Sequence, residues 1–313
     1  MNRKIIIDCD PGIDDAIAIA IALFDPRLDV LAITATAGTV EAEQATRNVT
    51  SIVNQLDPAR YPRIGMATPT SDAPVLDDSH LNGPEGLGDC RFDVPSRQNP
   101  TPSEKIISEL VNQYPDEITL VCLGPLTNLA RLCRRDPSVI PMINNVVISG
   151  GSVGYPGNAT PVAERNMFFD PASADEVFSS ATTKSLVPLD VTEEVLFGVD
   201  LLEHLPDRTT KAGQLLHKLL PFAFRTAHQK LGRELIPLYD ATTLLSIVEP
   251  DLFQWEGMAG RVETKGELTR GVTVFDQRLR PEWPMNMEVA IEVDGDEAQA
   301  AIKRALRYTG RHA

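Results

Sequence analysis

Short apolar runs alternate with helical runs along most of this 313-residue chain, and the alternation restricts the folds that it can adopt. Lys4–Ile7 precedes a helical stretch near residues 14–24, and Val30–Thr36 precedes another near residues 41–55. Apolar strands that alternate with helices are typical of parallel sheets covered on both faces. We therefore predict an α/β fold with a single open, mostly parallel sheet and helices on both faces. Further strands and helices are expected, in chain order, at Ile118–Leu123, Leu126–Arg134, Val146–Ser149, Pro171–Ser179 and Ser185–Leu189.

The rest of the chain predicts a long loop followed by more helix and a few short strands. Residues 67–103 are rich in Pro, Gly and Asp and indicate a loop of a length that often has a functional role. Residues 207–249 are predicted to be largely helical. No linker, repeat or low-complexity segment divides the sequence, so residues 1–313 are expected to form one domain. Short strands are expected at Val262–Thr264, Val272–Phe275 and Met287–Ile291, with a terminal helix at Glu297–Tyr308.

Four carboxylates follow the first predicted strand within eight residues: Asp8, Asp10, Asp14 and Asp15. Strand alternation puts the first two on one side and directs Cys9 towards the core. A turn at Pro11-Gly12 leads into a helix that the other two open, where acids suit the positive helix end. The simpler alternative, helix capping by acids that face water, needs one carboxylate and not four. The cluster therefore indicates a bound cation, and carboxylate oxygens favour calcium or magnesium over zinc.

Other polar clusters also lie where predicted strands end: Gly38-Thr39, Gly124–Asn128 and Gly150-Gly151. Carboxyl ends of parallel strands meet at one edge, where open α/β sheets bind ligands, so these clusters predict a single site. Two later segments add polar groups, one from Asn158 to Asn166 that includes Glu164, and one in which Asp240 opens an apolar helix. Amides and carboxylates suit the hydroxyls of a polyol. An ordinary loop and a helix cap are the plainer explanations of these two segments.

The sequence carries no motif that would bind a phosphate group. It has neither a Gly-x-x-x-x-Gly-Lys loop nor a dinucleotide fingerprint. An acid cluster without a nearby arginine or lysine cradle repels phosphate unless a metal offsets the charge. The substrate is therefore predicted to be a neutral polyol.

Composition excludes several classes of partner. The net charge of −15 and the pI near 4.8 argue against binding to nucleic acids or to anionic membranes. No apolar stretch reaches the roughly eighteen residues that would span a membrane, and no segment of signal-peptide kind precedes the first strand. The four cysteines, which lack paired metal spacing and suit reduced thiols, are Cys9, Cys90, Cys122 and Cys133. We expect a cytoplasmic protein with a small-molecule substrate.

Together these motifs resemble the inosine-uridine preferring nucleoside hydrolases, calcium-dependent enzymes that hydrolyse the N-glycosidic bond of ribonucleosides to free base and ribose. The resemblance covers nearly the whole chain and implies the nucleoside hydrolase fold, with the site at the carboxyl ends of the strands. It also implies Ca²⁺ as cofactor, a ribonucleoside substrate, and a homodimer or homotetramer. The motifs that carry it are Asp8–Asp15, Gly124–Asn128, Ser149–Gly151, Ala163-Glu164 with Asn166, Leu189–Thr192 and Leu268–Gly271.

The resemblance implies a role for each residue of the metal site. Asp10, Asp15 and Asp240 resemble the calcium carboxylates, and the backbone carbonyl of Leu123 resembles a further ligand. Asp10 also resembles the base that takes a proton from a calcium-bound water, which the metal acidifies. Cleavage would pass through an oxocarbenium-like sugar that nearby carboxylates stabilise.

The resemblance also implies how the ribose is held. Asp14 resembles the residue at the 2′-hydroxyl. Asn166 resembles the residue at the 3′-hydroxyl, together with Asp240. Asn158 and Glu164 resemble the pair at the 5′-hydroxyl. Contacts with three hydroxyls would position the anomeric carbon for attack.

The half of the site that would face the nucleobase departs from the family pattern. Many members carry a histidine directly before the final calcium aspartate, where it helps the base to leave, but this chain has Tyr239. Many carry His-Gly after the third strand, but this chain has Asn82 before that glycine, with His80 two residues earlier, and Thr39 replaces a common asparagine. Tyr239 could donate a proton as a weak acid with a pKa of about 10, contact the base, or only fill space. His80 and His228 are further candidates for the proton donor.

Two other functions are compatible with parts of the sequence. A haloacid-dehalogenase-type phosphohydrolase also begins with an apolar strand and Asp-x-Asp, and Ser149–Gly151 resembles its second motif. However, Pro11–Asp15 does not suit the residues expected after that nucleophile. The non-enzymatic alternative is a ribonucleoside-binding protein that has lost turnover with its histidines. The sequence does not indicate which nucleobase is preferred, because the residues that would select it lie in the altered half.

Overall fold

An eight-stranded sheet is the central element of the computed structural model, which describes residues 2–70, 74, 77, 79–92 and 100–311. All neighbouring strands pair in parallel except the last two, so the predicted open, mostly parallel sheet is confirmed. In spatial order the strands are β3 (Arg63–Gly65), β2 (Leu28–Ala35), β1 (Arg3–Cys9), β4 (Ile118–Cys122), β5 (Asn145–Ser149), β6 (Lys184–Val187), β12 (Met287–Val293) and β9 (Phe253–Met258). Two antiparallel pairs lie outside this sheet, β7 (Leu196–Phe197) with β8 (Ile236–Pro237) and β10 (Gly260–Val262) with β11 (Thr273–Phe275).

Helices follow most of the strands and cover the sheet. Within the described residues, none of them is long and apolar enough to cross a membrane. Short 3₁₀-helices lie at Ile140–Met142, Val199–His204 and Pro250–Leu252, and a π-turn lies at Ala227–Leu231. The α-helices are α1 (Ile13–Phe24), α2 (Ala42–Leu56), α3 (Ser79–Asn82), α4 (Ser103–Gln113), α5 (Thr127–Arg135), α6 (Arg165–Phe169), α7 (Pro171–Phe178), α8 (Leu189–Thr192), α9 (Lys211–Thr226), α10 (Tyr239–Val248) and α11 (Gly295–Tyr308).

The first strand shows why both faces of the sheet are covered. Ile5, Ile7 and Cys9 are fully buried in the core under α1, α2, α9, α10 and α11. Ile6 is fully buried in a second core on the other face, with residues of α4, α5 and α7. Alternate side chains of a strand point to opposite faces, so an unbroken apolar run requires two cores. Cys9 lies in the core, as its position in the strand predicts.

The order of the strands fixes where a ligand can bind. β2 and β3 lie on one side of β1, whereas β4, β5 and β6 lie on the other. The crevice outside the carboxyl ends at such a switch point is the usual ligand site of an open α/β sheet. Here the carbonyl of Asp8 accepts a hydrogen bond from the Leu123 N–H, and that of Cys9 accepts one from the Thr36 N–H, both at 2.8 Å. The loops after β1, β2 and β4 are thereby joined at this edge.

Several elements differ from the sequence-based expectation. The antiparallel edge strand β9 was not expected, because Phe253–Met258 contains a glycine and only one buried residue and so lacks a continuous apolar run. β3 is too short for a recognisable pattern. The predicted loop at 67–103 contains the short helix α3, and its residues 71–73, 75–76, 78 and 93–99 lie outside the described residues. The predicted helical region 207–249 is interrupted by the π-turn and by β8.

Candidate active site

A cavity of about 920 Å³ opens at the carboxyl ends of the central strands. A second cavity of about 660 Å³ lies among α1, α10 and α11, mostly between apolar side chains, and contains none of the predicted site residues. His228 is not part of either lining and pairs with Glu234 at an exposed position. The fold thus brings all the other predicted site residues to one cavity: Asp10, Asp14, Asp15, Thr39, His80, Asn82, Leu123, Asn158, Glu164, Asn166, Tyr239 and Asp240.

Asp10 is held tightly between two loops. Its Oδ2 accepts hydrogen bonds from the backbone N–H of Thr39 at 2.7 Å and from the Thr39 hydroxyl at 3.0 Å. A Cβ added to Gly38 would lie 2.1 Å from Oδ2, and one added to Gly124 would lie 2.4 Å from Oδ1. Any larger residue at these two glycines would displace the carboxylate. The loops after β2 and β4 therefore fix the position of Asp10, and Thr39 contributes by contact with this aspartate.

Asp14, Asp15 and Asp240 line the same cavity as Asp10; Asp15 and Asp240 are buried, and Asp14 is half-buried. Burial is the main cause that raises the pKa of each, and repulsion from neighbouring aspartates raises the pKa of Asp10, Asp15 and Asp240 further. Asp15 accepts a hydrogen bond from the Gly12 N–H at 2.8 Å, and Asp14 accepts one from the Asp240 N–H at 3.1 Å. The Oδ1 atoms of Asp14 and Asp15 have no hydrogen-bond partner among the described residues. Buried, repelling oxygens without partners call for a cation or a ligand.

The donor set suits a hard cation in its chemistry. In the described part of the chain, no group of three or more His, Cys, Asp or Glu side chains is already arranged to hold a metal ion. A site here would instead combine carboxylates with the backbone carbonyl of Leu123, a residue that lines the cavity. This carbonyl accepts one hydrogen bond from Asn166 at 2.8 Å. A carbonyl oxygen has a second lone pair to offer. The oxygen-only donors, the repulsion among the aspartates and the partnerless Oδ1 of Asp15 together fit a hard cation such as calcium or magnesium.

The side chains predicted to contact the ribose are fixed by backbone hydrogen bonds. The Glu164 carboxylate accepts from the N–H groups of Gly151, Asn166 and Met167 at 2.9–3.1 Å and caps α6. Burial raises the pKa of Glu164 against these bonds. Asn166 Nδ2 donates to the carbonyls of Leu123 and Ser149, and Asn158 Oδ1 accepts from the Arg165 N–H at 2.8 Å. These bonds fix the position of each side chain relative to the loops around the cavity.

Glu193 contacts Tyr239, Arg233 and Tyr155. The site residues predicted from the sequence include Tyr239 but not Glu193, Arg233 or Tyr155. The Tyr239 hydroxyl donates to Glu193 Oε1 at 2.6 Å, and Arg233 Nη1 donates to the same carboxylate at 3.2 and 3.3 Å. The Tyr155 hydroxyl donates to Oε2 at 3.4 Å. Burial first, and then the charge of Glu193, raise the pKa of Tyr239 above its ordinary value. The one available signal was position, since Glu193 directly follows the motif Leu189–Thr192.

Two arginines line the cavity, although the sequence analysis anticipated no cationic cradle near the acids. Arg165 Nη2 donates to the Gly38 carbonyl at 3.5 Å, and the arginine's charge opposes the rise in the pKa of Asp10. Arg233 pairs with Glu193. Both charges thus act on carboxylates of the cavity, and the neutral substrate stays a prediction.

Two further aspartates hold elements around the site together by hydrogen bonds. Asp8 is buried and accepts hydrogen bonds from the Thr34 hydroxyl at 2.6 Å and from Asn128 Nδ2 at 2.8 Å, while burial raises its pKa to about 7. It therefore joins β1 to β2 and α5. The carboxylate of Asp190 accepts from three successive N–H groups, those of residues 153–155, and so shapes the loop that carries Tyr155.

Comparison with known proteins identifies the family of the chain. Residues 5–300 match the family model of the inosine-uridine preferring nucleoside hydrolases. The chain belongs to this family. The match covers nearly the whole chain, as the motifs predicted, and it removes the support for a haloacid-dehalogenase-type phosphohydrolase. As a nucleoside hydrolase, the protein is an N-glycosidase by class.

Relatives and solved structures agree with this membership. The "Non-specific ribonucleoside hydrolase RihC" of Salmonella paratyphi A is 37% identical over 296 residues, which cover 94% of this nucleoside hydrolase and 95% of the relative. A plant nucleoside hydrolase, the PpNRh1 enzyme, superposes with a TM-score of 0.89 at 30% identity over 99% of this chain and 100% of that one. The purine-preferring ribonucleoside hydrolase from Gardnerella vaginalis superposes with a TM-score of 0.88 at 27% identity, over 97% and 98% of the two chains. The fold implied by the resemblance is confirmed.

Proposed function

We propose that this nucleoside hydrolase cleaves the N-glycosidic bond of purine or pyrimidine ribonucleosides to free base and ribose, and that it depends on calcium. The observation that carries the proposal is the buried aspartate cluster with its partnerless oxygens at the switch point of the sheet. Asp10, Asp15, Asp240 and the Leu123 carbonyl would hold the ion. Bound calcium would orient a water and lower the pKa of that water.

In this proposal, Asp10 is the general base. The Thr39 hydrogen bonds and the two adjacent glycines hold its carboxylate in one place, as proton abstraction requires. Asp10 would take a proton from the attacking water as the oxygen bonds to C1′. The surrounding carboxylates would stabilise the positive charge that develops on the ribose.

The ribose contacts proposed here are those that the family resemblance implies, and the residues concerned all line the cavity. Asp14, with its partnerless Oδ1, would accept from the 2′-hydroxyl. Asn166 and Asp240 would contact the 3′-hydroxyl, and Asn158 and Glu164 the 5′-hydroxyl. Three contacts of this kind would orient the anomeric carbon towards the water. Thr39, Asn82 and His80 would complete the substrate-facing wall.

A panel of natural ribonucleosides tests the function and the metal together. We expect ribose and free base to form from at least one purine or pyrimidine nucleoside, chelation to abolish the reaction, and added calcium to restore it. Calcium at about 100 times its Kd should also stabilise the fold by about 2.7 kcal/mol, seen as a rise in Tm. Asp15→Asn should remove this rise, whereas Asp29→Asn, outside the site, should keep it. Tight nucleoside binding without base release would instead support the binding-protein alternative.

Tyr239→Phe tests the role of the tyrosine. The Tyr239 hydroxyl donates its hydrogen bond to Glu193. We therefore propose that Tyr239 orients Glu193 and does not protonate the base. The substitution removes one hydrogen bond to the Glu193 carboxylate, which Arg233 still pairs with, so natural nucleosides should be slowed only by about tenfold or less. Steady-state rates on inosine and uridine give the measurement. A loss of about 10²–10⁴-fold, the usual contribution of a general acid, would make Tyr239 the proton donor.

We further propose that residues 1–313 act as one domain in a cytoplasmic homodimer or homotetramer, without nucleic-acid or membrane partners. One sheet with a continuous core on each face supports the single domain. The net charge of −15 argues against polyanionic partners. Light scattering on the purified protein would give the oligomeric state.

A further inference from the structure

We propose that Arg233 activates the departing nucleobase through hydrogen bonds from its guanidinium, an inference that rests on the proposed function. In this chain Tyr239 stands where many family members carry the histidine that helps the base to leave. A nucleobase leaves with the electron pair of the C1′–N bond, so a cationic donor beside it would lower the barrier. Arg233 and Tyr239 both line the cavity, and both donate a hydrogen bond to Oε1 of Glu193.

The carboxylate of Glu193 holds this guanidinium in place. The Glu193 side chain is 6% exposed, whereas that of Arg233 is 43% exposed. Among the described residues, the hydrogen bonds of this guanidinium all start from Nη1. Nη2 and Nε therefore remain able to donate to a ligand, and a planar guanidinium presents them in a fixed geometry. Glu193 in turn is fixed by the Tyr239 and Tyr155 hydroxyls.

The backbone around Arg233 is shaped for this placement. α9 ends in the π-turn Ala227–Leu231, and Gly232 follows in the left-handed region with φ of +64°. The N–H of Arg233 then donates to the Ala227 carbonyl at 3.2 Å, which fixes the residue against the end of the helix. π-turns occur often at functional sites. The turn places Arg233, which belongs to none of the sequence motifs, at the wall of the cavity.

The other candidate donors are engaged elsewhere. The single hydroxyl proton of Tyr239 is directed to Glu193. His228 pairs with Glu234 at an exposed position and does not line the cavity. His80 lines the cavity, but its Nδ1 is engaged by the Asp77 carbonyl at 3.0 Å, which leaves one ring nitrogen for a ligand where Arg233 offers Nη2 and Nε. The charge of Arg165 lowers the pKa of Asp10, the proposed base that takes the proton from water. Arg233 is the cation whose position suits the base.

The reaction balances without proton transfer from Arg233. The C1′–N bond breaks and its electron pair moves into the nucleobase, whose ring nitrogens and carbonyl oxygens gain negative charge. The N–H groups of Arg233 donate to one of these atoms and remain protonated. Water forms the new C1′–O bond, its proton passes to Asp10 and then to solvent, and the released base takes a proton from solvent.

Substrates with different leaving groups test the proposal. Arg233→Ala should lower kcat/KM for inosine by about 10²–10³-fold, the usual effect of losing one preorganised donor. The rate on 4-nitrophenyl riboside, whose leaving group departs without help, should change little, and it also reports that the ribose and calcium half is intact. Arg225→Ala is the matched control, because Arg225 lies on α9 and pairs with Asp89 outside the cavity.

Rescue separates a direct contact from a structural role. Added guanidinium should restore inosine hydrolysis by Arg233→Ala and leave the 4-nitrophenyl riboside rate unchanged. Equal losses on both substrates, or no loss on inosine, would overturn the proposal. If Arg233→Ala does not fold, Arg233→Met carries the same test, because methionine fills much of the same space without a charge or a donor, and its inosine to nitrophenyl rate ratio must still fall. An inactive wild-type enzyme would contradict the proposed function itself, whereas an active one with an unchanged ratio in the variants would contradict only the role of Arg233.

Discussion

Asp10→Asn should lower kcat for ribonucleosides by about 10³-fold or more, because it removes the proposed base and replaces a charged calcium ligand with a neutral one. The substitution keeps the shape of the side chain, and the two Thr39 donors can still bond its oxygen. The loss should therefore be chemical and not a loss of fold. Single-turnover release of ribose at saturating calcium measures it.

A matched control makes this result specific. Asp29→Asn removes a carboxylate that pairs with Arg60 outside the active-site cavity, and it should keep full activity. The Asp10→Asn variant should melt near the temperature of the wild type. If the variant retained more than about a tenth of the wild-type kcat, its loss would be smaller than general base catalysis usually contributes. Another group would then have to take the proton from water.

The parts of the fold that could be predicted are those with an uninterrupted local pattern. β1, β2, β4 and β5 are buried on both faces, so each appears in sequence as an apolar run, and the helix after each run is amphipathic or apolar. The edge strands β3 and β9 carry no such signal, because a short or half-exposed strand needs few apolar residues. Their pairing is decided by the neighbouring strand.

The same distinction applies to the site. Asp10, Asp14 and Asp15 were predictable because they are close in sequence and sit on a strand–turn–helix unit that fixes their relative positions. Glu193 and Arg233 are 40 residues apart, and their contact depends on the packing of the turn after α9 beside the end of α8. No local pattern encodes such a contact. Sequence comparison with the family could identify the missing histidine, but only the structure could suggest its replacement.

Loss of the 2′-hydroxyl from the substrate should lower kcat/KM by roughly 10²–10⁴-fold, since a site built to bond a hydroxyl strongly rejects the analogue that lacks it. The physical reason is Asp14. Its carboxylate is buried, its Oδ2 is occupied by the Asp240 N–H, and its Oδ1 has no partner in the described residues. Without the hydroxyl, this charged oxygen stays buried and unpaired. Inosine and 2′-deoxyinosine, compared under identical calcium, give the ratio.

A thermodynamic cycle that combines the Asp14→Ala substitution with removal of the 2′-hydroxyl tests whether Asp14 causes this discrimination. Asp14→Ala should slow inosine far more than 2′-deoxyinosine, because only inosine loses a partner, so the ratio of their kcat/KM values should fall towards one. Asp29→Asn should leave the ratio at its wild-type value. Inosine 5′-monophosphate should be a poor substrate for every variant, because Glu164 would face the added negative charge where the 5′-oxygen is held. A ratio that persists in Asp14→Ala would place the 2′-hydroxyl against another residue, and the assignment of Asp14 to this hydroxyl would have to be given up.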